Sequence, residues 1–228
     1  TYTRAVKTFL LWLNENEFIQ NVGKLKLIKA EIANIVPLSD VEVKIKILLN
    51  NFDNSYFGIR NKLMVMFMLD SGLRRGEVVS LESKNIFMHN NTMLVQGKGE
   101  KERLVPFGEE TKRYINRYSH MRNEYEKRFF QKEDGTPITD NTIKMYFQDL
   151  KESTGIIRLH PHLLRHTFAT NYILYGGDVE ELRILLGHTS LQMTMKYVHL
   201  ATQQRILNQR YHSHIDKLFC QYDNKLAQ

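Results

Sequence analysis

The chain has one cysteine in its 228 residues, Cys220. A single thiol forms no internal disulfide and builds no cysteine zinc site, and such usage fits the reducing conditions of the cytoplasm. Long apolar runs are missing as well. The longest clean one, Leu63 to Leu69, stops at Asp70, far short of the ~20 residues of a membrane-spanning helix, so a membrane is not an expected partner. No secretory pattern opens the chain; it begins at Thr1 rather than Met, which leads to the expectation of a longer parent protein. Internal repeats and low-complexity tracts are absent. Gly97-Lys98-Gly99 lacks the longer glycine-rich pattern and following Ser or Thr of a phosphate-cradling loop. Nine histidines are present, but none forms an HExxH pair, and His162, His166 and His188 have no carboxylate at ligand spacing. Neither a metal nor any other cofactor is expected.

What remains is an ordinary globular composition, 42% hydrophobic and 25% charged, with enough chain to bury a core. The net charge is +7 and the pI about 9.3. That balance suggests a polyanionic partner, either nucleic acid or an acidic membrane surface, the alternative being a basic protein with no such partner.

The hydrophobic pattern is mainly helical. Val6, Phe9, Leu10 and Leu13 fall at helical spacing within residues 2–14, an amphipathic helix without partners for its apolar face. Residues 20–37, with Lys24, Lys26 and Lys29, read as a linker. Ser39 to Glu42 is a capping-box pattern ahead of Val43, Ile47 and Leu48. A helix is expected from Tyr56 to Ser71, stopping near Gly72. Ile86–Met88, Thr92–Val95 and Arg103–Phe107 are β-prone pieces separated by turns at His89-Asn90-Asn91 and Gly97-Lys98-Gly99, predicting a three-stranded antiparallel sheet. Helices are then expected over 108–128, 139–153, 162–175, 178–186, 190–197 and 201–219, with Thr139 and Asp178 as N-caps and breaks at Gly155, Gly176-Gly177 and Gly187.

Several residues could carry chemistry. Arg74 stands at a helix end and Arg165 near a helix start. Guanidinium presents a planar fork of donors suited to phosphate oxygens, although Arg74 could equally pair with Glu77 three residues on. His162 and Arg165 share a helix face by their spacing of three, whereas His166 is expected to point elsewhere. Lys98 lies between two glycines at a hairpin tip. Tyr197 follows the Leu186-Gly187-His188 break by nine residues. A free phenol has a pKa of about 10, so acting as a nucleophile requires positive neighbours.

The ordered set Arg74, Lys98, His162-Leu163-Leu164-Arg165, Gly187-His188 and Tyr197 resembles the tyrosine recombinase (phage integrase) family. The flanking text agrees in SGLRRGEVVSL, GKGEKERLVPF, HPHLLRHTFAT and LLGHTSLQMTMKYVH. One departure is Gly76, where relatives often carry a larger or hydroxylic residue. The resemblance implies a tyrosine recombinase catalytic domain fold over residues 38–200. Residues 1–19 would be the last helix of the N-terminal core-binding domain and 20–37 the linker. Residues 201–228 would be a C-terminal helix and tail that packs on a neighbouring protomer or, equally, folds back on its own domain.

The resemblance also implies roles. Arg74 and Arg165 would neutralise a scissile DNA phosphate, His188 would hydrogen-bond a non-bridging oxygen, His162 would help take the proton of Tyr197, Tyr197 would attack phosphorus, and Lys98 would protonate the leaving 5′ oxygen. Lys24, Lys26, Lys29 and Lys101 are candidate backbone contacts, or else solvated surface lysines. The partners implied are a double-stranded DNA recombination site, three further copies of the chain in a tetramer on two sites, and accessory DNA-bending proteins, all in the cytoplasm. Rival readings are a type IB topoisomerase-like enzyme, a DNA-binding module without catalysis, and a metal-dependent nuclease.

Overall fold

The computed structural model describes residues 2–19, 37–38, 48–97 and 102–207. The capping-box pattern at Ser39–Glu42, the hairpin tip with Lys98 and Lys101, linker residues Lys24, Lys26 and Lys29, and everything after Leu207 lie outside them. The chain divides into two compact units, Thr1–Ile35 and Val36–Gln228. The first contributes helix α1 (Tyr2–Glu15), on which Phe9 stacks on Trp12 at 6.3 Å and Trp12 on Phe18 at 6.0 Å.

The second unit is built around α2 (Tyr56–Asp70). Ser55 caps it by accepting the Gly58 amide at 3.1 Å, supplying one of the four amides a helix start leaves unpaired. Ile59, Leu63, Met64, Val65, Phe67 and Met68 are all buried, on every side of the helix, which marks it as the central one. Each such side chain contributes about 1.5–3 kcal/mol by burial. The chain then turns at Gly72 into the short α3 (Arg75–Ser80).

A three-stranded antiparallel sheet follows, β1 (Ile86–Phe87), β2 (Thr92–Gln96) and β3 (Glu102–Pro106), in the order β1-β2-β3. Met93 faces Val105 and Val95 faces Arg103. With the period of two along a strand, Met93, Val95 and Val105 turn to the core, and Arg103 must turn with them.

The remaining helices are α4 (Glu109–Ser119), α5 (Asp140–Thr154), α6 (Pro161–Leu174), α7 (Val179–Leu186) and α8 (Gln192–Leu207). Thr139 and Asp178 cap α5 and α7 as expected. Pro161 opens α6 at a position where its missing amide costs nothing, and the His160 ring accepts the Leu163 amide at 3.1 Å.

Two helix expectations are corrected. The helix expected over 108–128 ends at Ser119. Phe129 and Phe130 are drawn into an aromatic cluster with Phe67 and Tyr118, and Phe129 donates its amide to Leu81 O at 2.8 Å. A continued helix could not deliver both rings there. The two helices expected over 190–197 and 201–219 are joined in α8, because Val198-His199-Leu200 contains no breaker. Arg205 on α8 donates to Ile173 O and Leu174 O, so residues 201–207 pack on α6 of the same chain.

Two apolar clusters result. The larger holds α2, the sheet and the Leu163-Leu164 end of α6; the smaller holds Ala169, Ile173, Leu182, Leu186, Tyr197 and Ala201. Helix α6 belongs to both, and the polar site lies along its first two turns.

Candidate active site

The site grows from the end of α7. A helix leaves its last four carbonyls without helical partners. Here Gly187, left-handed at φ 61°, turns the chain so that the His188 amide reaches Arg183 O and the Gly187 amide reaches Ile184 O. This is the glycine-ended motif that satisfies two of the four. Leu185 O accepts from Arg103 Nε at 2.6 Å and Leu186 O from Arg165 Nη2 at 2.5 Å. Gly187 O accepts from Arg74 Nη2 at 3.4 Å. Three arginines from three distant stretches thus dock on three consecutive carbonyls, at the helix end where the macrodipole favours cations.

Glu77 binds the same three. Its carboxylate accepts from the Arg74 amide (2.7 Å) and Arg74 Nη1 (2.8 Å), and takes both Nη atoms of Arg103 at 2.9 Å. Arg165 Nη1 lies 3.9 Å away. Glu77 is 5% exposed and Arg103 8%. Burial pushes the Glu77 pKa up, but the Arg103 pair and the Arg74 bonds outweigh it and leave the pKa below the ordinary carboxylate value.

Arg165 is also fixed by Gly72 O at 2.5 Å. Gly72 is left-handed, φ 64°, and a Cβ there would lie 2.4 Å from Phe168. Burial and the Arg74 charge lower the Arg165 pKa to about 10, so it stays cationic at neutral pH. Arg74 is the more open member, 34% exposed.

Tyr197, 1% exposed, is carried in by α8. Its ring lies parallel to that of His188, 6.3 Å between centroids, and His188 Nδ1 is held by Thr194 Oγ1 at 2.9 Å. Lys196 Nζ sits 4.8 Å from the Tyr197 ring centroid. Burial raises the phenol pKa to about 12, against the downward pull of Arg165 and Arg74. Burial, with Arg165 next, lowers His188 to about 4. The imidazole of His162 is lowered by burial, then by Arg165, Arg75 and Arg74.

The structure therefore brings Arg74, Arg165, His162, His188 and Tyr197 together, while Lys98 and the four other lysines fall outside the described residues. Arg74 pairs with Glu77 and joins the cluster at once, so the two readings of that residue are compatible. One expectation is corrected. His166 does not point away: its Nδ1 is 2.8 Å from Tyr197 Oη. Residues 162, 165 and 166 stand at i, i+3 and i+4, one helix face. Arg103 was not anticipated, although a cation two residues from Val105 on the inward face of β3 needs a buried partner. Among the described residues no group of three or more His, Cys, Asp or Glu could hold a metal ion, and no helix is long and apolar enough to cross a membrane.

Such a nest, one carboxylate among several cations beside a phenol, on a mostly helical frame with a three-stranded sheet, has the fold of tyrosine recombinase catalytic domains. The phage integrase family model matches residues 24–204, and the chain belongs to that family. Tyrosine recombinase XerC of Staphylococcus epidermidis is 30% identical over 217 residues, spanning 90% of this chain and 72% of the relative. XerC of Bacillus pumilus is 28% identical over 226 residues, 94% and 73%. The crystal structure of XerA recombinase superposes with a TM-score of 0.68 at 25% identity, over 92% of this chain and 75% of that one. XerH recombinase bound to a palindromic difH substrate gives 0.71 at 19% identity, over 89% and 64%, a likeness of fold.

Proposed function

We propose that the chain cuts and rejoins double-stranded DNA at defined sites through a 3′-phosphotyrosyl intermediate, with Tyr197 as nucleophile. The observation that carries this reading is the convergence of Arg74, Arg165 and His188 on the buried Tyr197, with more positive charge than Glu77 neutralises. Such a nest is built to receive an anion, and its attraction grows as charge develops on a pentavalent phosphorus. Arg74 and Arg165 hold the non-bridging oxygens and His188 adds a hydrogen bond. Tyr197 Oη attacks phosphorus with help from His162 in removing its proton. The 5′ oxygen leaves, protonated by Lys98. One phosphodiester replaces another, so the bond energy is kept and a 5′-hydroxyl from a partner strand reverses the step without ATP.

XerC is named a tyrosine recombinase, XerA a recombinase and XerH a site-specific recombinase. For this chain recombination takes the form of exchange between two sites by four protomers, as in integration or excision of a mobile element, assisted by DNA-bending proteins in the cytoplasm. Residues 38–200 form the catalytic domain, residues 1–19 end a core-binding domain across the 20–37 linker, and Lys24, Lys26, Lys29 and Lys101 touch the backbone. Affinity then falls steeply with salt.

The test offers the protein a pool of nicked suicide duplexes with randomised arms and captures protein–DNA species that survive denaturation. Tyr197→Phe is expected to lose all covalent attachment and to keep DNA binding within about twofold by anisotropy. Attachment that persists in the Phe variant refutes the nucleophile, and attachment that requires an added divalent metal refutes the mechanism.

A further inference from the structure

Tyr197 Oη has a protein partner that the scheme above does not use. On α6, one residue past Arg165, His166 brings Nδ1 to 2.8 Å from the phenol oxygen, with ring centroids 5.5 Å apart. His188 is parallel to the same ring, but its Nδ1 is engaged by Thr194. A base must reach the proton that it removes, and among the described residues His166 is the imidazole at that distance.

We propose that His166 is a further catalytic residue: its Nδ1 accepts the phenolic proton of Tyr197 during attack on phosphorus. The inference rests on Tyr197 being the nucleophile. As Oη bonds to phosphorus, the O–H bond breaks, its electron pair becomes the new P–O bond and the proton passes to Nδ1. The 5′ oxygen leaves with the electrons of the old P–O bond. No oxidant, reductant or cofactor enters, and His162, one turn earlier on the same face, acts one step further from the reacting oxygen.

The surroundings keep the pair ready but idle. Burial, then the charges of Lys196, His162, Arg165 and His160, hold His166 down at about 4, while burial holds the phenol up at about 12. At neutral pH the free protein therefore carries the proton on oxygen, beside a neutral imidazole whose lone pair can accept it. A phosphate anion among Arg74, Arg165 and Lys196 offsets the cations that depress His166, so its affinity for the proton rises when substrate arrives. The same neighbours make an idle Tyr197 unreactive in the absence of DNA.

Single-turnover adduct formation on the selected suicide duplex, measured from pH 5.5 to 9.5 for the full chain, tests this. His166→Phe is expected to slow attachment by about 100-fold or more, the low end of general base catalysis, with DNA binding within about twofold. Its rate should climb tenfold per pH unit, because the phenol must then ionise unaided, whereas the unaltered chain should show a plateau. His166→Asn, which keeps a side-chain acceptor, should fall between them and provides the same test if the Phe variant does not fold. A Phe variant that reacts within about threefold of the unaltered rate, one slowed equally at all pH values, or one that reacts faster because His166 merely restrains the phenol, overturns the proposal. Nitrogen NMR of the imidazole adds a check without activity: Nδ1 should be unprotonated at pH 7 and shift in Tyr197→Phe, and a protonated Nδ1 refutes the role. Mapping the DNA-linked peptide separates the two readings. Attachment through another residue sinks the nucleophile itself, and attachment at Tyr197 with an unchanged rate sinks only His166.

Discussion

Replacing Glu77 by Gln should destabilise the second unit out of proportion to the one atom changed. Among the described residues the carboxylate is the sole counter-charge in direct contact with Arg74 and Arg103, and Arg103 and Arg165 are 8% and 5% exposed. Removing one partner of a buried ion pair costs about 3–5 kcal/mol, mostly because the other is left buried and uncompensated. Gln keeps the volume and one acceptor, so about 3 kcal/mol is expected. For a domain of 150–250 residues about 1 kcal/mol moves the melting temperature by roughly 2–4 °C, giving a fall of about 6–12 °C in a thermal melt at pH 7. The pH dependence fixes the cause. The Glu77 pKa is lowered in the fold from an ordinary value near 4.5, so its contribution is full above that value and is lost as pH falls through the lower folded value. The gap between Glu77→Gln and the unaltered chain should therefore narrow as pH falls below 4.5 and close only under the folded value, where Glu77 is protonated in both states. His166 and His188 also weaken the fold as pH drops from 6.5 toward 4, because both are held neutral there, but they do so in both proteins and cancel in the comparison. A fall under about 2 °C at pH 7, or a gap that does not narrow as pH falls below 4.5, would refute the view that Glu77 acts through its charge.

Two further substitutions probe the frame. Thr194→Val removes the hydroxyl that holds His188 Nδ1 while keeping the shape; about 1–2 kcal/mol of stability should be lost through the unpaired buried nitrogen, and adduct formation should slow about tenfold in the suicide assay. Gly76→Ala, on an exposed helical position where an added Cβ meets nothing within 4 Å, should raise stability by about 0.5–1 kcal/mol in urea unfolding, since glycine is the costlier helix residue.

Much of this architecture was legible because its signals are local. The all-apolar stretch of α2, the caps Thr139 and Asp178, and the β-prone pieces around Asn90-Asn91 each fix a conformation within a few residues, and the strand ends fell within one residue of expectation. The end of α4 was not legible. Nothing near His120 marks a stop; the helix ends there because Phe129 and Phe130, ten residues on, are claimed by Phe67 and Tyr118. The join in α8 was missed for the opposite reason, since a break was expected where no breaker stands. At the site, residues of known chemical type drew attention, but Glu77 entered only as a competitor for Arg74 and Arg103 only as flanking text.

What sequence motifs conceal is the acceptor side of the arrangement. Arg103, Arg165 and Arg74 dock on the carbonyls of Leu185, Leu186 and Gly187, and a backbone oxygen has no residue type to recognise. The sequence shows the consequence instead: two left-handed glycines, Gly72 and Gly187, that let Gly72 O and the α7 end approach Arg165 from two sides. Carbonyl dipoles and one carboxylate satisfy the geometry of three guanidiniums without cancelling their charge. Adding neutral His188 and His166 does not change that balance. The free protein thus holds an uncompensated positive charge in a place whose hydrogen bonds are already made. An entering anion gains attraction without first breaking those contacts, and the gain is largest for the state in which the anion carries most charge. That difference between ground state and pentavalent state is the part of binding that accelerates a reaction.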